Sequence, residues 1–234
     1  MLLKGLYKFA FKTARGTGCG VMFATESGRL FGGNSGSSFI GTYAVEGEEI
    51  VSEMMMSRHN PNYVPLYPVD NVRMTFRSHW KGAELHSRGG TVALPGVVFE
   101  SILTPINDND APPPGNLGPD AIGNGLYSIH IRMLDGIDGG ATGVMMLYDG
   151  RIRGGDAYFD YIGAYSAANG KWKGEIINRE HTPSMGERPL FGGREVGIGF
   201  SGTYDDKGAE GDAVALAGKR SVRFKAVLKK LVEA

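Results

Sequence analysis

The stretch Arg29–Tyr43, RLFGGNSGSSFIGTY, returns 122 residues later at Arg151–Tyr165 as RIRGGDAYFDYIGAY. Six of the fifteen positions are identical and three more are conservative, where about one identity is expected by chance, so self-similarity governs how everything else is read. The likeness continues outward. Gly5-Leu6-Tyr7 is answered by Gly125-Leu126-Tyr127, and His59 in SRHNP by His181 in REHTP. The chain reads as one β-domain written twice: residues 1–107, a Pro/Asp-rich linker at 108–121, and residues 122–234. Three consecutive prolines, Pro112 to Pro114, make the linker an extended, semi-rigid spacer.

Period-two alternation that survives in both copies identifies strands. Tyr7, Phe9 and Phe11 alternate with Lys8, Ala10 and Lys12, as Tyr127, Ile129 and Ile131 do with Ser128, His130 and Arg132. Val72, Met74, Phe76 and Trp80 match Val196, Ile198, Phe200 and Tyr204, while Arg73, Thr75, Arg77 and His79 point the other way. The first half yields strands at about 5–12, 17–25, 29–34, 38–45, 49–58, 71–80, 84–92 and 97–104, with a matching set from 125. Short antiparallel strands without a long helix predict an all-β protein of two tandem eight-stranded up-and-down barrels, with a sandwich as runner-up. The glycine pairs at 32–33 and 154–155 are expected to permit a bulge or sharp coiling. The last segment, SVRFKAVLKKLVEA, aligns as a strand, with a short helix after Leu228 left open.

Lys and Arg number 25 and so do Asp and Glu, so no net positive field gathers nucleic acid or anionic lipid, and neither is expected as a partner. Cys19 is the single cysteine, which excludes an intramolecular disulfide and fits a reducing compartment. Lysines at 4, 8 and 12 interrupt the apolar N-terminus, and no uncharged run of transmembrane length follows, so the expected location is cytoplasmic.

Chemistry is sparse. His59 and His181 are weak metal or proton-transfer candidates, against the plainer reading of strand-end histidines bonded to a turn; a His-dependent activity at a cleft between the barrels is the minor alternative to a protein that is no enzyme. GTGCG at 16–20 and GGATG at 139–143 lack the lysine and hydroxyl of a P-loop and read as hairpin glycines. No GxSxG elbow is present, and no cofactor is implied. Glu46, Glu48 and Glu49 make an acidic hairpin tip, where the second copy has Asn169, Lys171 and Lys173. Phe9, Phe11, Met54, Met74, Phe76 and Trp80 are the inward residues that would line a ligand cavity or simply fill it.

On GLYKFAF, GRLFGGNS, FIGTYAVEGEE and SRHNP, echoed by GLYSIHI, GRIRGGDA, YIGAY and REHTP, the chain resembles the GrlR-type negative regulators of type III secretion, small calycin-like barrels. The resemblance implies a non-catalytic regulator that sequesters a protein partner, such as a basic transcriptional activator, through the acidic hairpin at Glu46, Glu48 and Glu49. It also implies dimers of single copies, hence a homo-oligomer or an intrachain pseudo-dimer here. The alternative is a lipocalin-like binder of a small apolar ligand.

Overall fold

The structure is a computed structural model that describes residues 2–134, 142–184, 191 and 194–234. It is all-β, with no helix among the described residues. The first eight strands are β1 (Gly5–Thr13), β2 (Gly16–Ala24), β3 (Arg29–Gly33), β4 (Ser37–Glu46), β5 (Glu49–Arg58), β6 (Asn71–Lys81), β7 (Glu84–Gly90) and β8 (Phe99–Pro105). The second eight are β9 (Gly125–Met133), β10 (Thr142–Tyr148), β11 (Arg151–Gly155), β12 (Phe159–Ala168), β13 (Lys171–Glu180), β14 (Glu195–Tyr204), β15 (Gly208–Ala217) and β16 (Arg220–Glu233). Each set is an antiparallel meander that closes on itself, β1 on β8 and β9 on β16. Closure decides against the sandwich and removes the sheet edges an open meander would expose.

The chain divides into two compact units, one ending at Asn107 and the other beginning at Asp108. Each has its own apolar core. The alternation explains why: on β6, Val72 and Met74 are buried while Arg73, Thr75, Arg77 and His79 are exposed. A slip of one residue would turn that whole set inside out, so the pattern fixes the register. β16 continues as a strand through Glu233, with a register shift between Lys230 and Val232. The helix left open after Leu228 does not form, because Lys229 and Lys230 still pair with Ser128 and Tyr127 of β9.

Glycines serve close approach. Register runs through Gly32 and Gly33 without a shift, so the pair makes no bulge; a Cβ on Gly32 would strike the Val21 carbonyl of the adjoining strand. GTGCG lies in β2, not in a hairpin turn, and Phe9 and Phe11 sit across from Gly20 and Gly18. A Cβ on either glycine would come within 2.6 Å of the ring opposite. The corresponding GGATG falls mostly outside the described residues, with Thr142 and Gly143 opening β10.

The repeated motif is the β3–β4 hairpin. In the first copy the Asn34 side-chain oxygen accepts hydrogen bonds from the backbone N–H of Gly36 and Ser37, both at 2.9 Å. In the second, Asp156 accepts from the N–H of Tyr158 at 2.7 Å and Phe159 at 2.9 Å, and its other oxygen accepts a short bond from the Tyr161 hydroxyl. Asn34 with Phe39 has become Asp156 with Tyr161, so the added carboxylate oxygen meets the added hydroxyl. Burial pushes the Asp156 carboxyl above its usual range, against the three hydrogen bonds that lower it. Y161F alone strands that oxygen and is expected to destabilise the second barrel by about 1–3 kcal/mol. The Y161F/D156N pair, which restores the first copy's residues, is expected to recover most of the loss in a denaturant double-mutant cycle; additive losses would contradict the coupling.

Candidate functional site

Inward side chains of the first barrel enclose a cavity of about 100 Å³, whereas the same space in the second barrel is reduced to about 30 Å³. The wall residues explain the difference. Position 50 on β5 is Ile50 in the first barrel, and the matching position on β13 is Trp172, whose ring nitrogen donates to the Glu210 carbonyl at 3.0 Å. Trp172 packs against Phe200 with ring centroids 4.5 Å apart. The indole lies along the wall from β13 to β15 because that wall is bare: Gly174, Gly202 and Gly211 stand on three successive strands.

The first barrel carries serine at those three places. Ser52 replaces Gly174, Ser78 replaces Gly202 and Ser87 replaces Gly211, and Ser101 stands for Ala226 on the strand after. The swap also turns a ring. Phe200 lies over Gly174, where a Cβ would come 2.7 Å from its Cζ. Its counterpart Phe76 pairs with Ser52 on one side and Gly89 on the other, and it lies over Gly89, where a Cβ would come 2.5 Å from Cδ1. Each phenylalanine covers whichever neighbour is glycine. With Phe76 turned toward β7 and no tryptophan at 50, the lumen stays open.

Of the six residues expected to line this space, Phe9, Phe11, Met54, Met74 and Phe76 do so, beside Phe39 and Met56. Trp80 packs against the same core without lining the cavity. Its indole nitrogen is buried with no hydrogen-bond partner among the described residues. Sequence reasoning missed the four serines and the Ile50/Trp172 exchange, although laying one copy on the other would have displayed both.

The acidic tip is partly neutralised from its own wall. Glu46 and Glu49 face each other across the β4–β5 turn, and Arg77 Nη1 lies 2.6 Å from Glu49 Oε2 and 4.0 Å from Glu46 Oε2. Glu53 pairs with Arg73 at 2.7 Å one step along. Glu48 occupies the turn and is exposed.

Beside this tip β4 outruns β3. The last β3–β4 pair is Arg29 with Thr42, and Tyr43 N–H donates to the Gly28 carbonyl. Val45 then presents its backbone outward and is 41% exposed. In the second barrel the matching stretch of β12 is covered by residues 115–118 of the Pro/Asp-rich segment, which belongs to that unit. Leu117 bridges Ala167, Gly118 N–H donates to the Ala167 carbonyl at 2.8 Å, and Ala167 N–H donates to the Asn116 carbonyl at 3.1 Å. Asp108 anchors the segment by an ion pair with Arg153 at 2.8 Å. What reads in sequence as a spacer is here a strap on the second barrel's wall.

The paired histidines hold the repeated hairpin. His59 Nε2 lies 3.0 Å from the Asn34 carbonyl and His181 Nε2 lies 3.4 Å from the Asp156 carbonyl, and their backbone N–H groups donate to Gly36 and Tyr158. Each ties the end of the fifth strand of its barrel to the β3–β4 type turn. Among the described residues no three His, Cys, Asp or Glu side chains gather as a metal ion would require.

No protein-family model matches the chain, and no curated protein does. Among solved structures, one similar over 97% of this chain and 96% of its own is a "putative outer membrane protein" from Bacteroides fragilis, at 10% identity and a TM-score of 0.27. At those values the likeness carries no argument about the site. The cytoplasmic location expected from the sequence does not stand, because its ground does not extend to β-barrels. That expectation rested on the lack of an apolar helix long enough to cross a bilayer, which holds for the described residues but says nothing of a β-barrel protein, since such proteins cross with strands. The first barrel's wall itself carries Glu49, Glu53, Arg73 and Arg77 outward, the opposite of a lipid-facing band.

Burial holds the His59 imidazole below its usual value of 6.5, against the weaker upward pull of its bond to Asn34. The folded state therefore binds that proton less readily than the unfolded chain, so stability is full above pH 6.5 and declines as pH falls below it. In a W172F background, where Trp80 alone reports, the denaturant midpoint of the first barrel is expected to drop between pH 7.5 and pH 5. H59Q is expected to flatten that dependence and to cost about 1 kcal/mol at pH 7.5; an unchanged slope would contradict the latch.

Proposed function

We propose that this is a non-catalytic binding protein in which the first barrel receives a small apolar ligand in its lumen while the second barrel is a filled, strapped scaffold. The observation that supports this reading is the contrast within one chain: the same wall encloses about 100 Å³ in one copy and about 30 Å³ in the other. Leaving 100 Å³ empty costs about 2 kcal/mol at the measured cost of cavities. A ligand that fills it recovers that free energy and adds its own transfer out of water. Methionines 22, 54, 56 and 74 line the space, and their unbranched, flexible chains let it adapt to different shapes. Titration calorimetry with hexane is expected to show saturable binding to wild type. I50W/S52G/S87G, which installs the second barrel's residues, is expected to weaken it at least about tenfold without lowering the thermal midpoint. Equal binding by both proteins would refute the lumen as the site.

A second reading follows the resemblance to GrlR-type regulators: capture of a basic protein partner at Glu46, Glu48 and Glu49. It draws support from the open backbone of Val45 beside those acids, a place that the strap occupies in the second barrel. The strap shows what would fit there, an extended segment adding main-chain hydrogen bonds to the end of β4. Charge at the tip would steer its approach and weaken with salt. V45P removes the outward N–H at a site where proline is tolerated, and it is expected to abolish retention of a specific partner, as is E46A/E48A/E49A. Recovery of the same partners by all three proteins would end this reading.

A further inference from the structure

We propose that the first lumen selects a small neutral molecule carrying a hydroxyl or carbonyl group on an apolar body, and that the row Ser52, Ser78, Ser87 and Ser101 recognises that group. The inference rests on the lumen reading above and deepens it. Register places the serines side by side: Ser87 pairs with Ser78 on one strand and with Ser101 on the other, and Ser52 pairs with Phe76, two residues before Ser78. All four line the cavity. Ser52, Ser78 and Ser87 are 7%, 3% and 9% exposed, so their hydroxyls have left bulk water.

The fold does not require them. The equivalent positions of the second barrel are Gly174, Gly202, Gly211 and Ala226, and the same meander closes over them. A serine hydroxyl offers one donor and two acceptor sites, and four in a row offer more than the bond from Ser78 Oγ to Ser87 Oγ at 2.7 Å uses. Placing that capacity in a lumen otherwise lined by Phe, Met, Leu and Ile is costly unless something pairs with it. The described lining contains no Asp, Glu, Lys, Arg or His. A carboxylate or ammonium group would enter without a counter-charge, which the low-dielectric interior penalises heavily, whereas an alcohol, ester or ketone would not. Size narrows the class further: about 100 Å³ is less than the roughly 150 Å³ of an engineered cavity that admits the rigid ring of benzene, so the body is a slender, flexible chain of about six heavy atoms around which the lining methionines adjust.

The test uses the full chain with 13C-labelled methionine methyl groups, read by NMR at pH 7.5, and three probes: 1-pentanol, its isostere hexane, and pentanoate. Pentanol is expected to move the Met54, Met56 and Met74 methyl signals and to bind at least about tenfold more tightly than pentanoate. S52A/S87A is expected to weaken pentanol about tenfold while leaving hexane unchanged or tighter; S52A and S101A singly give the same comparison should the double variant fold poorly. If hexane and pentanol both bind and their ratio is the same in every serine variant, or pentanoate matches pentanol, the selectivity is refuted and the lumen reading stands. If none of the three probes moves the methionine methyls, the lumen reading itself falls.

Discussion

An eight-stranded closed wall leaves an interior just wide enough for the side chains that point into it, so what happens inside depends on the bulk of a few residues at one height. In the second barrel three glycines on successive strands make room for an indole, and Trp172 with Phe200 fills the centre. In the first, serines stand at those places, Phe76 lies over Gly89 instead, and Ile50 is too short to cover the neighbouring strands as Trp172 does. The overall closure, the hairpin motif and the histidine latch are common to both copies. The difference between a packed interior and a receptive one therefore resides in about five side chains.

That local contrast gives the two copies of a duplicated chain different interiors. The second barrel also has an outer cover: the segment holding Asn116, Leu117 and Gly118 pairs with the end of β12, while among the described residues no segment pairs with the matching end of β4 beside Glu46 and Glu48. The second copy is thus more filled inside and, along the end of β12, covered outside. The wider lumen and the bare strand end described above both lie in the first unit.

Much of the fold was legible because alternation repeated in two copies is hard to produce by accident: Val72, Met74 and Phe76 against Arg73, Thr75 and Arg77 fixed a face, and Val196, Ile198 and Phe200 repeated it. The end of β16 was less legible, since Leu228 and Leu231 with intervening lysines satisfy a helical stripe as well as a strand, and only pairing with β9 decides between them. Five of the six expected cavity residues were found because large inward apolar side chains announce themselves. The serines did not, being small, polar and common, and their meaning appears only when register sets them beside one another. The acidic tip was legible as charge but not as balance, because Arg77 lies 28 residues from Glu49 in sequence and meets it only across the β5–β6 pair.

The dependence of the lumen on these few residues can be tested most directly with crystals of the full chain under xenon pressure, since xenon enters dry apolar cavities of this size without needing any polar contact. Xenon density inside the first barrel, among Met54, Met74 and Phe76, with none around Trp172, is the expected result. Equal occupancy of both interiors, or density around Trp172 alone, would contradict the claim that serine and glycine at matching wall positions decide which copy is open.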